Sequence, residues 1–264
     1  MNEVIFTNVA YPGNAGDFWS SPVKYYQFPN RKVRQIHFLD FWGAASKDPN
    51  YDYYNIKDKI VVIGGGGLIT DKGYYLQKTI EWLVENNKVI FWGIGSNAFI
   101  KPSYEIFDHK NVLLVGTRDI TLGLKHNYVP CVSCKGTLFD NDYEITSKIG
   151  LLEHPDHPIN IDGLPKIQNS ADVRDIIPFI GSKEILISST FHGIYWSQIL
   201  GKKVLYYLDG ELPNSKFYGL KHRVPICNKD NYMEKTHNLS YVMGFKEECR
   251  EINDNFYKEV LKLI

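Results

Sequence analysis

Four cysteines (Cys131, Cys134, Cys227 and Cys249) in 264 residues are too few to staple a chain of this length into a disulfide framework. Long apolar runs are absent too, since no stretch approaches the ~18 consecutive apolar residues that read as a membrane span. The N-terminal run, Met1–Thr7, has Glu3 where a signal peptide would be basic, and its apolar part is short. Neither sign of charge is in excess: 30 basic residues balance 30 acidic ones, and no basic run stands out. Such a chain has no global field to gather nucleic acid, so no nucleic-acid partner is expected. There is no internal repeat and no low-complexity tract. A cytoplasmic protein is expected, with at most a peripheral contact at the inner face of a membrane.

The remaining composition, 44% hydrophobic and 23% charged, is that of a globular chain with ample core. Its length suits one large α/β unit or two small domains. Tyrosine is abundant, at 18, and with 5 Trp offers rings for the core or for stacking on sugars. Short apolar runs predict strands over Val4–Thr7, Val33–Leu39, Lys59–Ile63, Lys88–Trp92, Asn111–Val115, Ile159–Ile161, Glu184–Ile187 and Lys203–Leu208. Helical spacing predicts Lys72–Asn87 with Asp71 as N-cap, and a helix after Ser170 through Val173, Ile176 and Ile177. Another begins at Gly193, and a last one spans Phe245–Leu263 with Phe256, Val260 and Leu263 as its buried stripe. Strand–helix alternation argues for parallel sheets covered on both faces. The pattern breaks between Phe139 and Pro158, which places a boundary near 150. We therefore expect an α/β protein of two Rossmann-like halves facing across a cleft, residues 1–150 and 151–264. The last helix is free to pack back on the first half.

Motifs sit where strands should end. The most informative is Ser188-Ser-Thr-Phe-His192-Gly193, where an apolar run closes on two serines and a histidine opens a helix. His192 is either a helix cap or an ionisable ring beside free N–H groups that stabilise an anion. After the first strand, Asn14-Ala-Gly16-Asp17 either makes a local Asx-turn or binds a ligand hydroxyl. Gly64-Gly-Gly-Gly67 costs backbone entropy, so a close approach of a ligand or a facing segment should require it. The dinucleotide fingerprint fails there, because Ile69 holds the third glycine position. Gly93-Ile-Gly95-Ser96-Asn-Ala98 fits its looser form, yet Pro102 follows too soon for a long helix. No Gly-Lys-Ser/Thr follows either turn, so the phosphate loop of nucleotide triphosphatases is excluded. Thr117-Arg118-Asp119 offers either a guanidinium fork for phosphate or carboxylate, or a surface ion pair. Cys131-Val-Ser-Cys134 has no second pair and no thioredoxin-type setting, so no metal site is expected.

Taken in order, Asn14-x-Gly16-Asp17, Gly64–Gly67, Gly93-x-Gly95-Ser96, Thr117-Arg118-Asp119 and Ser188–Gly193 resemble the polysaccharide pyruvyl transferase family. The resemblance runs from residue 8 to about residue 220. It implies a GT-B-like fold and transfer of the enolpyruvyl unit of phosphoenolpyruvate onto a glycan or lipid-linked oligosaccharide, forming a pyruvate ketal. Phosphoenolpyruvate is then a co-substrate, and neither cofactor nor metal is implied. By the resemblance His192, Arg118 and Lys216 (in Asn214-Ser-Lys-Phe217) are catalytic. Ser188, Ser189, Thr190 and Gly193 bind the donor, while Asn14, Asp17, Gly65, Gly66 and Ser96 face the acceptor. The family writes Ser-Arg-Leu-His-Gly where this chain has Thr190 and Phe191, so one cationic contact to the donor is replaced. A nucleotide-sugar glycosyltransferase and a non-catalytic glycan-binding protein are the rival readings.

Overall fold

The computed structural model describes residues 3–10, 13–41, 56–98, 101–122, 125–210 and 215–264; Met1, Asn2 and Asn214 lie outside them. Two parallel sheets organise the chain. The first contains β1 (Glu3–Asn8), β2 (Lys32–His37), β3 (Ile60–Ile63), β4 (Gly66–Ile69), β5 (Lys88–Ser96), β6 (Val112–Thr117) and β7 (Asn127–Tyr128). Their order is β2-β1-β3-β5-β6-β7, with β4 also paired to β5. A short α1 (Ala15–Phe18) follows β1, and α2 (Tyr75–Asn86) follows β4.

Alternation along these strands explains the layers. Ile5, Val61, Val89 and Phe91 point to one face, where Leu76, Ile80, Leu83 and Val84 of α2 cover them. Val4, Phe6, Val62, Ile90 and Trp92 point to the other. Strands buried on both faces need a continuous apolar run, and β5 supplies one from Val89 to Gly95. Asp71 does not cap α2: the helix begins later, after Tyr74, and Asp71 Oδ1 accepts from Lys101 N–H at 2.7 Å.

The second sheet orders β12 (Ile226–Cys227), β11 (Lys203–Tyr207), β10 (Lys183–Ser188), β8 (Ser147–Glu153) and β9 (Lys166–Gln168). Position 150, expected as the boundary, lies inside β8, so the second sheet starts at Ser147. Ile159–Ile161 is not a strand. Ile159 and Ile161 instead fill the layer formed by Ile149, Leu151, Ile185, Ile187 and Leu205. The opposite layer packs on α3 (Val173–Gly181) and α4 (Phe191–Ile199). Short α5 (Ser215–Tyr218) and α6 (Tyr232–Lys235) follow β11 and β12.

The final α7 (Phe245–Leu263) spans both halves. Phe245 and Cys249 join the core of α3 and α4, whereas Phe256 and Val260 lie against Phe6 and Trp92 of the first sheet. Leu263, expected in the buried stripe, is exposed; Ile264 takes that place. Between the two contacts the buried Asn253 accepts from Trp92 Nε1 at 2.9 Å and donates to the Pro130 carbonyl at 3.2 Å. The architecture is a Rossmann-like α/β fold with parallel sheets.

Candidate functional site

In open parallel sheets, ligands bind beyond the carboxyl ends of the strands. Both sheets bring such ends to one cavity of about 230 Å³. Asn14 and Asp17 come from the turn after β1, Asn97 from β5 and Arg118 from β6. The second sheet contributes His154 after β8, Asn169 after β9, Thr190 and His192 after β10, and Lys216 after β11.

The turn after β1 is tied from three sides. Asn14 caps α1 through Asp17 N–H and donates to the Asp17 carboxylate at 3.0 Å. Asn8 Nδ2 and Ser20 Oγ both donate to the Asp17 carbonyl. Ala15 N–H donates to the Asn169 carbonyl at 2.9 Å, which joins this turn to the second sheet. Gly16 lies so close to the His192 ring that a Cβ there would overlap Nδ1. The ring's Nε2 stands 3.4 Å from the Cys131 thiol.

Arg118 is 4% exposed, yet its Nε and one Nη have no hydrogen-bond partner. Its guanidinium lies 3.7 Å above the Phe191 ring and against the bare backbone of Gly95. An unpaired buried guanidinium costs several kcal/mol, on the order of what breaking a buried ion pair costs, so an anion is the natural complement. Asp119 does not supply it through a cap. Its carboxylate turns away to accept from Ser96 N–H at 2.7 Å and Tyr104 O–H at 3.1 Å.

Electrostatics follow from this crowding. Burial first, then the charges of Arg118 and Lys216, hold the His192 imidazole well below the ordinary histidine range. Burial, with Arg118 adding, pushes the Lys216 ammonium down to about 8, while Asp17 opposes. Burial raises the Asp17 carboxyl against the pull of Arg118 and Lys216. Arg118, Lys216, the neutral His192 imidazole and the Asp17 carboxyl thus line one small volume, an arrangement that can receive an anion.

His192, Arg118, Lys216, Thr190, Asn14 and Asp17 therefore share the cavity. Other expected site residues do not. Ser188 is fully buried, donates to the Leu152 carbonyl at 2.9 Å and accepts from Thr190 N–H. Gly193 makes room for Ser188 Oγ rather than for a ligand, and its N–H is taken by the Thr190 hydroxyl at 2.9 Å. Ser189 lines a neighbouring cavity and donates to the His157 carbonyl. On the other sheet Gly65 packs on Ser20, and Gly66 turns into β4 with φ of 117°. Ser96 is buried against Asp119; Gly67 and Asn97 reach the cavity in their stead. His154, Asn97, Asn169 and Cys131 are additions to the sequence reading. Asn97 lay in the second glycine turn, Cys131 in the Cys-x-x-Cys pair and His154 in His154-Pro-Asp-His157, a run that reads as a linker; Asn169 lay in no conspicuous run.

Among the described residues no helix is long and apolar enough to cross a membrane, and no cluster of His, Cys, Asp or Glu is set to hold a metal ion. No family model matches this sequence, and no curated protein matches it. In structure the chain is similar to a functionally uncharacterised protein from Klebsiella pneumoniae subsp. pneumoniae, with a TM-score of 0.50 and 18% identity. The match covers 86% of this chain and 92% of that one, and it is a likeness of fold alone.

Proposed function

We propose that the cavity holds phosphoenolpyruvate and that the protein is a pyruvyl transferase. On this reading it moves the enolpyruvyl unit onto a sugar of a bacterial surface polysaccharide or its lipid-linked precursor, leaving a pyruvate ketal and inorganic phosphate. The two sheets would then act as the facing halves of a GT-B-like enzyme. The observation that carries the proposal is the buried, unpaired guanidinium of Arg118 meeting His192 and Lys216 around a space sized for a small anion.

The chemistry follows from the electron count. A proton adds to the methylene carbon, leaving an oxocarbenium-like centre at C2. One sugar hydroxyl adds there to give a tetrahedral phosphate-bearing adduct. The bond from C2 to the phosphate oxygen then breaks, and phosphate leaves with the electron pair. A second hydroxyl closes the ketal. One hydroxyl proton returns to His192, replacing the one spent on carbon, and the other leaves with phosphate. Without the donor His192 is neutral, but a multiply charged donor offsets the field of Arg118 and Lys216 and draws a proton onto the ring. Arg118 grips carboxylate or phosphate as a fork, and Lys216 neutralises the charge developing on departing phosphate. The replacement of the family's arginine by Thr190 fits this division. Thr190 caps α4, and Phe191 serves as the face on which Arg118 lies.

The test is incubation with phosphoenolpyruvate and a panel of model or lipid-linked galactosides, glucosides and mannosides. Phosphate release with a product heavier by one pyruvate less one water supports the proposal. His192→Ala should lower turnover by roughly 10²–10⁴. Thermal stabilisation by a nucleotide sugar but not by phosphoenolpyruvate would instead make the protein a glycosyltransferase. Absence of phosphate release with every acceptor would favour a glycan-binding protein.

A further inference from the structure

A second cavity, of about 450 Å³, opens beside the first and shares Asn97, His154 and Lys216 with it. It lies wholly at the carboxyl ends of the second sheet apart from Asn97, and its size falls in the ~300–1,000 Å³ range of small-molecule sites. Its chemistry differs from that of the anion site. Asp156 and Asp209, both exposed, line it. Tyr207 O–H donates to Asp209 at 3.3 Å while accepting from Asn160 N–H at 3.3 Å, which fixes the carboxylate at the end of β11. Tyr206 and Phe217, stacked at 3.8 Å and buried, form an apolar wall. His154 Nδ1 accepts from Asp156 N–H at 3.1 Å, so its neutral ring carries its proton on Nε2 and can donate.

Two carboxylates repel a diphosphate, so this space is wrong for a nucleotide sugar. Carboxylates, a phenol and an imidazole N–H beside an aromatic wall suit a neutral polyol. A separate observation at the junction points the same way. Asn169, 5% exposed, lines the first cavity, and its buried amide oxygen Oδ1 has no hydrogen-bond partner. It can only accept, and ionised phosphoenolpyruvate has no proton to give it. A sugar hydroxyl reaching from the second cavity toward the donor would.

We infer that the second cavity is the acceptor subsite and takes an uncharged hexopyranoside, whose reacting hydroxyls pass His154 to reach Asn169 and the donor. The inference rests on the transferase reading and moves the acceptor from the Gly65–Gly66 turn and Ser96 to the second sheet.

Saturation-transfer NMR and titration with methyl galactoside, glucoside and mannoside, with and without phosphoenolpyruvate, test it. Asp209→Ala and Asp156→Ala, both at exposed positions, should weaken binding of the preferred glycoside by at least about tenfold. Affinity for phosphoenolpyruvate should stay within about twofold, because neither side chain lines the donor cavity. Unchanged glycoside affinity in both variants overturns the inference, as does failure of every glycoside to bind with or without phosphoenolpyruvate. Failure of phosphoenolpyruvate to bind the wild-type protein would overturn the transferase reading instead, and the glycoside titrations would still decide the subsite.

Discussion

His192 is held by its neighbours as much as by its helix. Trp196 Nε1 donates to Ser133 Oγ, which meets the Cys131 thiol at 3.2 Å, and that thiol meets His192 Nε2. Burial pushes the Cys131 thiol upward in pKa, so it keeps its proton. The protonated thiol and Nε2 share one hydrogen bond whose direction follows the ring's tautomer, and Nδ1 is the nitrogen beside Gly16. The Cys-x-x-Cys pair, for which the sequence supports neither a metal nor a redox role, places Cys131 against the imidazole. No spacing rule carries that information, because the contact joins residues 61 positions apart. Lys216 gives the sharper test at this scale. Its ammonium is charged below about pH 8 and loses its proton above. Because kcat/KM reports the free enzyme, it should fall as pH rises through about 8. Lys216→Arg should move that fall beyond the alkaline limit of the assay, whereas Lys216→Met should give a low profile lacking the step. An unchanged alkaline limb in both variants would remove Lys216 from donor binding.

The element that most constrains the site is α1, only four residues long. Asn14 starts it, Asn169 receives Ala15 N–H, and Gly16 yields the space the imidazole occupies. Gly16→Ala should therefore displace His192 and lower turnover by about 10²-fold, with a stability loss of about 1–3 kcal/mol. Turnover and thermal melting of that variant check both figures; wild-type turnover would mean the ring has another place to sit. Elements were unevenly legible in the sequence. The helix Phe245–Leu263 is found at the expected bounds, because its apolar spacing is long and regular. β8 was hidden: Ile149-Gly-Leu-Leu152 is a short run between an acidic, polar stretch and prolines. Ile159 and Ile161 showed a strand's alternation yet lie in a segment that only lends its side chains to the sheet below. Period two marks burial on one side, not backbone pairing.

At the scale of the molecule, the sites come together only because two sheets present their carboxyl ends to one space. α7 holds that arrangement, with Asn253 bonded to β5 through Trp92 and to the Pro130 carbonyl next to Cys131. Strand-end positions explain why Asn14, Asp17, Arg118 and His192 could be picked from the sequence, whereas Lys216 came from the family resemblance alone. The glycines and serines beside them could not be separated into those that touch a ligand and those that make room for a neighbour. Gly65, Gly66, Ser188 and Gly193 belong to the second kind, since each meets backbone or side chains of the protein itself.

Calorimetric titration with phosphoenolpyruvate near neutral pH, repeated in buffers of different ionisation enthalpy, tests the account most directly. A neutral His192 beside two cations should take up close to one proton as the trianion binds, and His192→Gln should abolish that uptake. Arg118→Met should weaken binding by about 10²-fold, since the fork is the only buried guanidinium lining the cavity among the described residues. Binding without proton uptake, or with equal affinity in Arg118→Met, would contradict the claim that these groups form one donor site.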